Sequence, residues 1–248
     1  MRQLSIFFVF ILLTSPGFAQ SGGMLSATRD RVNFSGLLVP STGVLFGVAG
    51  ERGKLLGDAY YDTTFQAGNI RFYGRIGAVD SLGGVPIRLN LLHQEVEVRA
   101  GANDVRAAKA PSIRQFVMNN RAGSVSQFVN VREYKGEADK LGGFFEQVVP
   151  GKLQLLQRHS ITLQRANYNA ALNVGTKDEE LLKKREWYVA RGAEATRFAG
   201  TRKALLELMA DKQTVIETYL KTRKPDLKKE AGMADVFAYY NSLISTGH

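Results

Sequence analysis

The chain has 248 residues, a formal charge of +10 with a pI near 9.8, 44% hydrophobic residues and no cysteine. The apolar fraction is enough for a sizeable core. The lack of thiols excludes disulfides, thiolate-bound zinc, a lipid-acylated cysteine and a cysteine nucleophile.

Residues 1–3 (MRQ) make a short cationic start, and 4–13 (LSIFFVFILL) are apolar apart from Ser5. Residues 14–20 (TSPGFAQ) are a small-residue exit broken by Pro16, with Gly17 and Ala19 at the −3 and −1 positions of a cleavage site. This is the pattern of a secretory signal peptide over 1–19, cut between Ala19 and Gln20. An apolar run of about ten residues is too short for a bilayer core that needs about 20. The expected location is therefore periplasmic or secreted, with no transmembrane segment in the mature chain.

From residue 20 to 165 the pattern predicts an antiparallel β domain. Short β-branched or aromatic runs are cut by Gly, Asn, Asp and Pro. Residues 69–75 (NIRFYGR) form one run. Over 85–91 and 95–100 apolar and polar residues alternate, but the apolar parity switches from odd at Leu91 to even at Val96. A tight turn or bulge at His93-Gln94 accounts for the switch. Runs at 112–118 and 125–134 flank the turn-rich NNRAGS. Runs at 144–149 and 153–163 flank Pro150-Gly151, where proline presets φ and glycine accepts positive φ. Successive hairpins imply a meander.

Residues 166–186 are polar and weakly periodic, and read as a linker or exposed loop with one helical turn. Residues 187–248 read as a short β hairpin across Gly192 followed by a helical segment. Thr201 is placed to cap a first helix carrying Leu205, Leu208 and Met209, and Asp211 to cap a second that Pro225 ends. A third helix fits 229–243, with Met233, Val236, Phe237 and Tyr240 on one face. The fold class is thus α+β: an antiparallel β-meander domain followed by a C-terminal segment of about three short helices.

The chemistry-bearing patterns are sparse. There is no phosphate-loop ending, no H-E-x-x-H and no G-x-S-x-G. The three histidines, His93, His159 and His248, are isolated in sequence. No catalytic residue, metal ligand or cofactor is assigned. Between Arg71 and Lys135 ten Lys or Arg face five acids, and Arg88, Arg99 and Arg114 fall on the polar sides of their strands. If those strands are neighbours, the three arginines form a ladder able to bind phosphate or carboxylate groups.

Several phrases carry a resemblance. They are Gly57-Asp58 with Tyr61, the run 65–70 (FQAGNI), 86–90 (PIRLN), 94–98 (QEVEV), 143–146 (GFFE) before 151–153 (GKL), and 239–243 (YYNSL). The chain resembles a group of uncharacterised bacterial secreted proteins over most of its expected mature length. The resemblance implies export and a β part followed by a helical tail, and it implies no activity.

Export directs the excess positive charge away from nucleic acid and toward the polyanions of a cell envelope: lipopolysaccharide, anionic lipid or acidic glycan. A protein partner is the other option. The expected function is a non-enzymatic envelope binding or structural role. Two alternatives stand beside it. A curved sheet could carry an apolar ligand in a deep cavity, or a hydrolase site could assemble from distant residues, marked by His93 or His159 against a carboxylate in a cleft.

Overall fold

In the computed structural model the described residues are 54–76, 79–120, 123–169 and 171–245. The expected signal segment, its cleavage site, the first part of the β domain, Arg121 and His248 lie outside them. All described residues fall in one unit, Arg52–His248.

The strands are β1 (Leu55–Leu56), β2 (Gln66–Ile76), β3 (Val79–Asn90), β4 (Glu95–Arg99), β5 (Val105–Lys109), β6 (Ile113–Asn119), β7 (Val125–Asn130), β8 (Lys135–Gly136), β9 (Phe144–Val149), β10 (Leu153–Gln164), β11 (Glu179–Arg191) and β12 (Glu194–Phe198). Three helices follow: α1 (Arg202–Leu208), α2 (Gln213–Arg223) and α3 (Glu230–Ser245). All twelve strands join one sheet in the order β5-β4-β3-β2-β6-β7-β9-β10-β11-β12-β8, with β1 alongside β11. Pairing is antiparallel except at two short margins, β1 with β11 and β12 with β8. The fold is α+β, a β-meander followed by short helices. Among the described residues no helix is long and apolar enough to cross a membrane.

Local chemistry explains most of the pairings. The parity switch predicted at His93-Gln94 is a turn over residues 91–94, and it pairs odd positions of β3 with even positions of β4: Ile87 with Val98 and Leu89 with Val96. Gln94 takes the left-handed conformation at φ 52° to close it. At the Pro150-Gly151 turn, Gly151 has φ 139° and β9 pairs antiparallel with β10. A Cβ on Gly151 would lie 2.6 Å from Asn241 Nδ2. Gly151→Ala is therefore expected to cost about 1–3 kcal/mol from backbone strain and the lost Asn241 geometry. Urea denaturation reads it, and an unchanged midpoint would mean the turn relaxes freely.

Two expectations are corrected. The stretch 166–186 is not a linker throughout, because β11 begins at Glu179 and pairs with β10 over twelve positions, from Gln164↔Glu180 to Leu153↔Arg191. The first half of β11 is largely exposed, so it carries no alternation to read; backbone bonds to β10 hold it. Asp211 is not a helix cap. It lies in a 3₁₀ turn and accepts a hydrogen bond from the Tyr240 hydroxyl at 2.8 Å. Thr201 does cap α1, accepting from the Ala204 amide.

Three buried clusters fill the sheet faces. One holds Leu153, Leu155 and Val189 under Leu205, Ile216, Val236, Phe237 and Tyr240 of the helices. A second lies on β9–β12 under the crossover that follows β7, with Val131, Tyr134, Phe145, Leu156 and Tyr188. The third joins β2, β3, β4, β6, β7 and β9 through Ile70, Ile87, Leu89, Phe116, Phe128 and Phe144. Phe116 stacks on Phe128 at 4.6 Å and meets Phe144 edge-on. Among the described residues, packed side chains fill these parts of the sheet.

Candidate functional site

The three predicted arginines do not make a ladder. Arg88 on β3 and Arg99 on β4 do come together, with both guanidinium groups over the Phe65 ring at 4.4 and 4.1 Å. Arg88 also lies over Tyr60 and donates to Glu97 through Nε and Nη2 at 3.1 and 2.5 Å, and to the Thr63 carbonyl. Glu97 stands directly opposite Arg88 in the β3–β4 register. Burial would raise the Glu97 carboxyl, but the bonds from Arg88, Asn90 and Tyr60 outweigh it and hold the group below its ordinary range. Arg114 sits on β6, separated from β3 by β2, and pairs with Glu133 at 3.1 Å. These contacts are cross-strand staples on a polar face.

A different group of residues forms the most distinctive polar site. Strand register places Glu146 of β9 opposite Gln157 of β10, and His159 of β10 opposite Arg185 of β11. Because side chains alternate along a strand, Gln157 and His159 share a face with both partners. His159 Nε2 lies 2.7 Å from Glu146 Oε2, with side-chain exposures of 11% and 8%. The Tyr61 hydroxyl donates to Glu146 Oε1 at 3.0 Å and lies 3.3 Å from Ser126 Oγ. The Tyr61 ring packs edge-on against both Phe128 and His159. This network abuts the Phe116–Phe128 stack, so most of it is screened from water.

The electrostatics follow from that burial. Desolvation alone would raise the Glu146 carboxyl; the bonds from His159, Ser126 and Tyr61, with the imidazole charge, reverse this and lower it. Tyr61 is raised by burial and by the Glu146 charge. Glu230, at the start of α3, moves the opposite way to Glu146. Its half-buried carboxyl is raised first by desolvation and then by the Glu146 charge, against smaller opposing effects of His159 and Arg185. The two nearby carboxyls are thus shifted in opposite directions.

Above the network is a cavity of about 330 Å³ lined by Tyr61, Gln157, His159, Lys183, Arg185 and Glu230. Gln157 is 2% exposed, and its Oε1 is buried with no hydrogen-bond partner among the described residues. Lys183 is tied to Asp58 at 2.9 Å. Among the described residues no group of three or more His, Asp or Glu side chains stands ready to hold a metal ion.

A second pocket, about 480 Å³, is lined by His93, Lys109, Arg132 and Arg158 with Gly142 and Gly143. Its basic groups come from the β3–β4 turn, β5, the 3₁₀ turn after β7, and β10. Arg132 donates to the Pro111 carbonyl and lies over Tyr73. Arg158 has Glu186 at 3.8 Å, but Glu186 also serves Lys184 and Arg197 at 3.1 and 2.6 Å. One carboxylate among three cations leaves local positive charge in excess.

The fold and site define an antiparallel α+β protein with a buried histidine–carboxylate pair under one cleft and a basic pocket elsewhere on the sheet. No family model matches the chain, and no match was found among curated proteins or among solved structures. From sequence, His159 is named as one of two histidines that would mark a hydrolase site against an unspecified carboxylate, and Glu146 only as a member of a strand. They stand thirteen residues apart, on two strands joined by the Pro150-Gly151 turn. The signal that could have found them was the hairpin itself: register puts Glu146 opposite Gln157, two positions before His159, so the pair is diagonal on one face.

Proposed function

We propose that the protein is an exported, non-enzymatic cell-envelope binding protein that contacts phosphate-bearing surfaces, lipopolysaccharide or anionic lipid, through its basic pocket. The observation that carries this reading is the convergence of His93, Lys109, Arg132 and Arg158 on one pocket, opposed by Glu95, 3.9 Å from His93, and by Glu186, which Arg158 shares with Lys184 and Arg197. The N-terminal pattern of residues 1–20 supports export, as does the resemblance to uncharacterised bacterial secreted proteins. Purified protein is expected to sediment with vesicles of phosphatidylglycerol, or to bind lipopolysaccharide, and not to bind phosphatidylcholine vesicles. Binding should weaken as salt shortens the screening length from about 30 Å at 0.01 M to about 8 Å at 0.15 M. The pair Lys109→Ala with Arg132→Ala should weaken it further. Equal binding to neutral and anionic vesicles, or no binding at low salt, overturns the reading.

The 2.7 Å contact of His159 with Glu146 inside a cleft favours a second reading, a hydrolase. There His159 would take a proton from water while Glu146 holds the ring in place. Turnover of a hydrolysable substrate that His159→Ala abolishes, in a folded variant, would select it over the first.

A further inference from the structure

Among the described residues the Gln157 amide stands apart. Nearly every buried polar group in a folded protein has a partner, and a buried acceptor without one marks strain, a ligand or a functional role. Gln157 Oε1 is buried unpaired, and the residue lines a cavity whose remaining walls are chemically mixed. Arg185 brings positive charge to one part of it, while Lys183 is neutralised by Asp58. Glu230, half-buried at the start of α3, supplies a carboxyl that can accept from hydroxyls. Tyr61 and Leu91 give apolar surface. The cavity lies near the small end of ligand pockets, which run from about 300 to 1,000 Å³.

A ligand that satisfies these walls together needs a hydroxyl or amide donor for Gln157, an anionic group for Arg185, further hydroxyls for Glu230, and C–H faces for Tyr61 and Leu91. We propose that this cleft binds one acidic sugar unit, a hydroxylated ring bearing a carboxylate. Arg185 pairs with the carboxylate as a guanidinium fork does. Gln157 Oε1 is buried in the cavity wall, so its amide turns toward the ligand to accept from a ring hydroxyl, and a ligand lacking that donor leaves the amide unpaired and is rejected. The inference does not rest on the basic pocket, and it stands whether or not the cleft also does chemistry.

Isothermal titration of the full protein with glucuronate tests it, with glucose and inorganic phosphate as the two partial probes. Glucuronate is expected to bind saturably with Kd at or below about 1 mM, with glucose at least about tenfold weaker, and phosphate likewise once the basic pocket is removed by Lys109→Ala with Arg132→Ala. Arg185→Ala, at an exposed position, should weaken glucuronate by about tenfold or more. Gln157→Leu should do the same while raising the denaturation midpoint, because it removes an unpaired amide. Lys109→Ala and Arg132→Ala should leave glucuronate binding unchanged, which separates this site from the basic pocket. No binding at about 10 mM glucuronate, or binding untouched by both Arg185→Ala and Gln157→Leu, overturns the proposal. In the Lys109→Ala, Arg132→Ala variant, where the basic pocket no longer contributes, phosphate binding as tight as glucuronate overturns it as well, since charge alone would then suffice.

Discussion

Glu146→Ala is expected to lower unfolding free energy by about 3 kcal/mol, near the lower end for removing one partner of a buried ion pair. The carboxylate accepts from the Tyr61 hydroxyl, and His159 Nε2 lies 2.7 Å from it. Its loss leaves these buried groups without their shared acceptor and opens a space under the cleft. Glu146→Gln keeps the volume and one acceptor, and should cost about half as much.

The same pair gives a pH signature. The folded carboxyl titrates below its ordinary 4.5 despite burial, because hydrogen bonds and the imidazole charge favour the ionised form. In the acid range the unfolded chain therefore binds the proton first. The stabilisation is fully present above pH 4.5 and is lost as pH falls through the depressed folded value. Urea midpoints at several pH values should fall more steeply for the wild type than for Glu146→Gln below about pH 5. Glu97 and Glu186 are also lowered and contribute to the acid limb of both proteins, so the difference between the curves isolates Glu146. Parallel curves would show that the pair adds no ionic stabilisation.

Asn241→Ala is the second large effect, expected at about 2–4 kcal/mol from several main-chain groups losing partners at once. Asn241 lies on α3, yet its side chain serves the β9–β10 turn. Oδ1 accepts from the Leu153 amide at 3.0 Å, and Nδ2 donates to the carbonyls of Leu153 at 2.8 Å and Pro150 at 3.3 Å. Those groups sit at a turn where the β ladder cannot satisfy them, so the asparagine completes the turn and docks the helix in one contact. Lys152 Nζ adds a bond to the Ile244 carbonyl near the end of the same helix. Asn241→Asp should also be costly, because a carboxylate cannot donate to the two carbonyls. Urea denaturation measures the loss, and limited proteolysis after α2 should speed up in the same variants. In an Asn241→Ala background, Gly151→Ala should cost less than it does alone, since the close approach to Nδ2 is gone. Additive costs would place the strain of that turn in its backbone only.

Much of the architecture is written in local pattern. The alternation of Ile87, Leu89 and Leu91 against Val96 and Val98 encodes both strands and the register-switching turn between them. Gly192 at φ 59° closes the last hairpin where its sequence predicts. Thr201 and the stripe of Met233, Val236, Phe237 and Tyr240 mark two helices correctly. The failures are equally local in cause. In β11, residues 179–186 read EELLKKRE, and exposure gives them no period to display. Asp211 carries the chemistry of a cap, but the helix that follows begins after Lys212 with no side-chain cap, and Asp211 turns to Tyr240 instead.

The sequence by itself determined which segments extend, where the chain turns and which stripe each helix buries. It did so because these depend on neighbours a few residues away: side-chain alternation, the φ range of proline and glycine, and the hydroxyl of a cap. Only the tertiary structure decided which polar residues meet. Arg88 and Arg99 share Phe65, whereas β2 stands between the strand of Arg88 and that of Arg114. Glu146, Gln157, His159 and Arg185 converge because three strands align in one register, and Tyr61 reaches them from a loop 85 residues before Glu146. Register is a property of the paired sheet as a whole. A slip of one position would send each of those side chains to the other face.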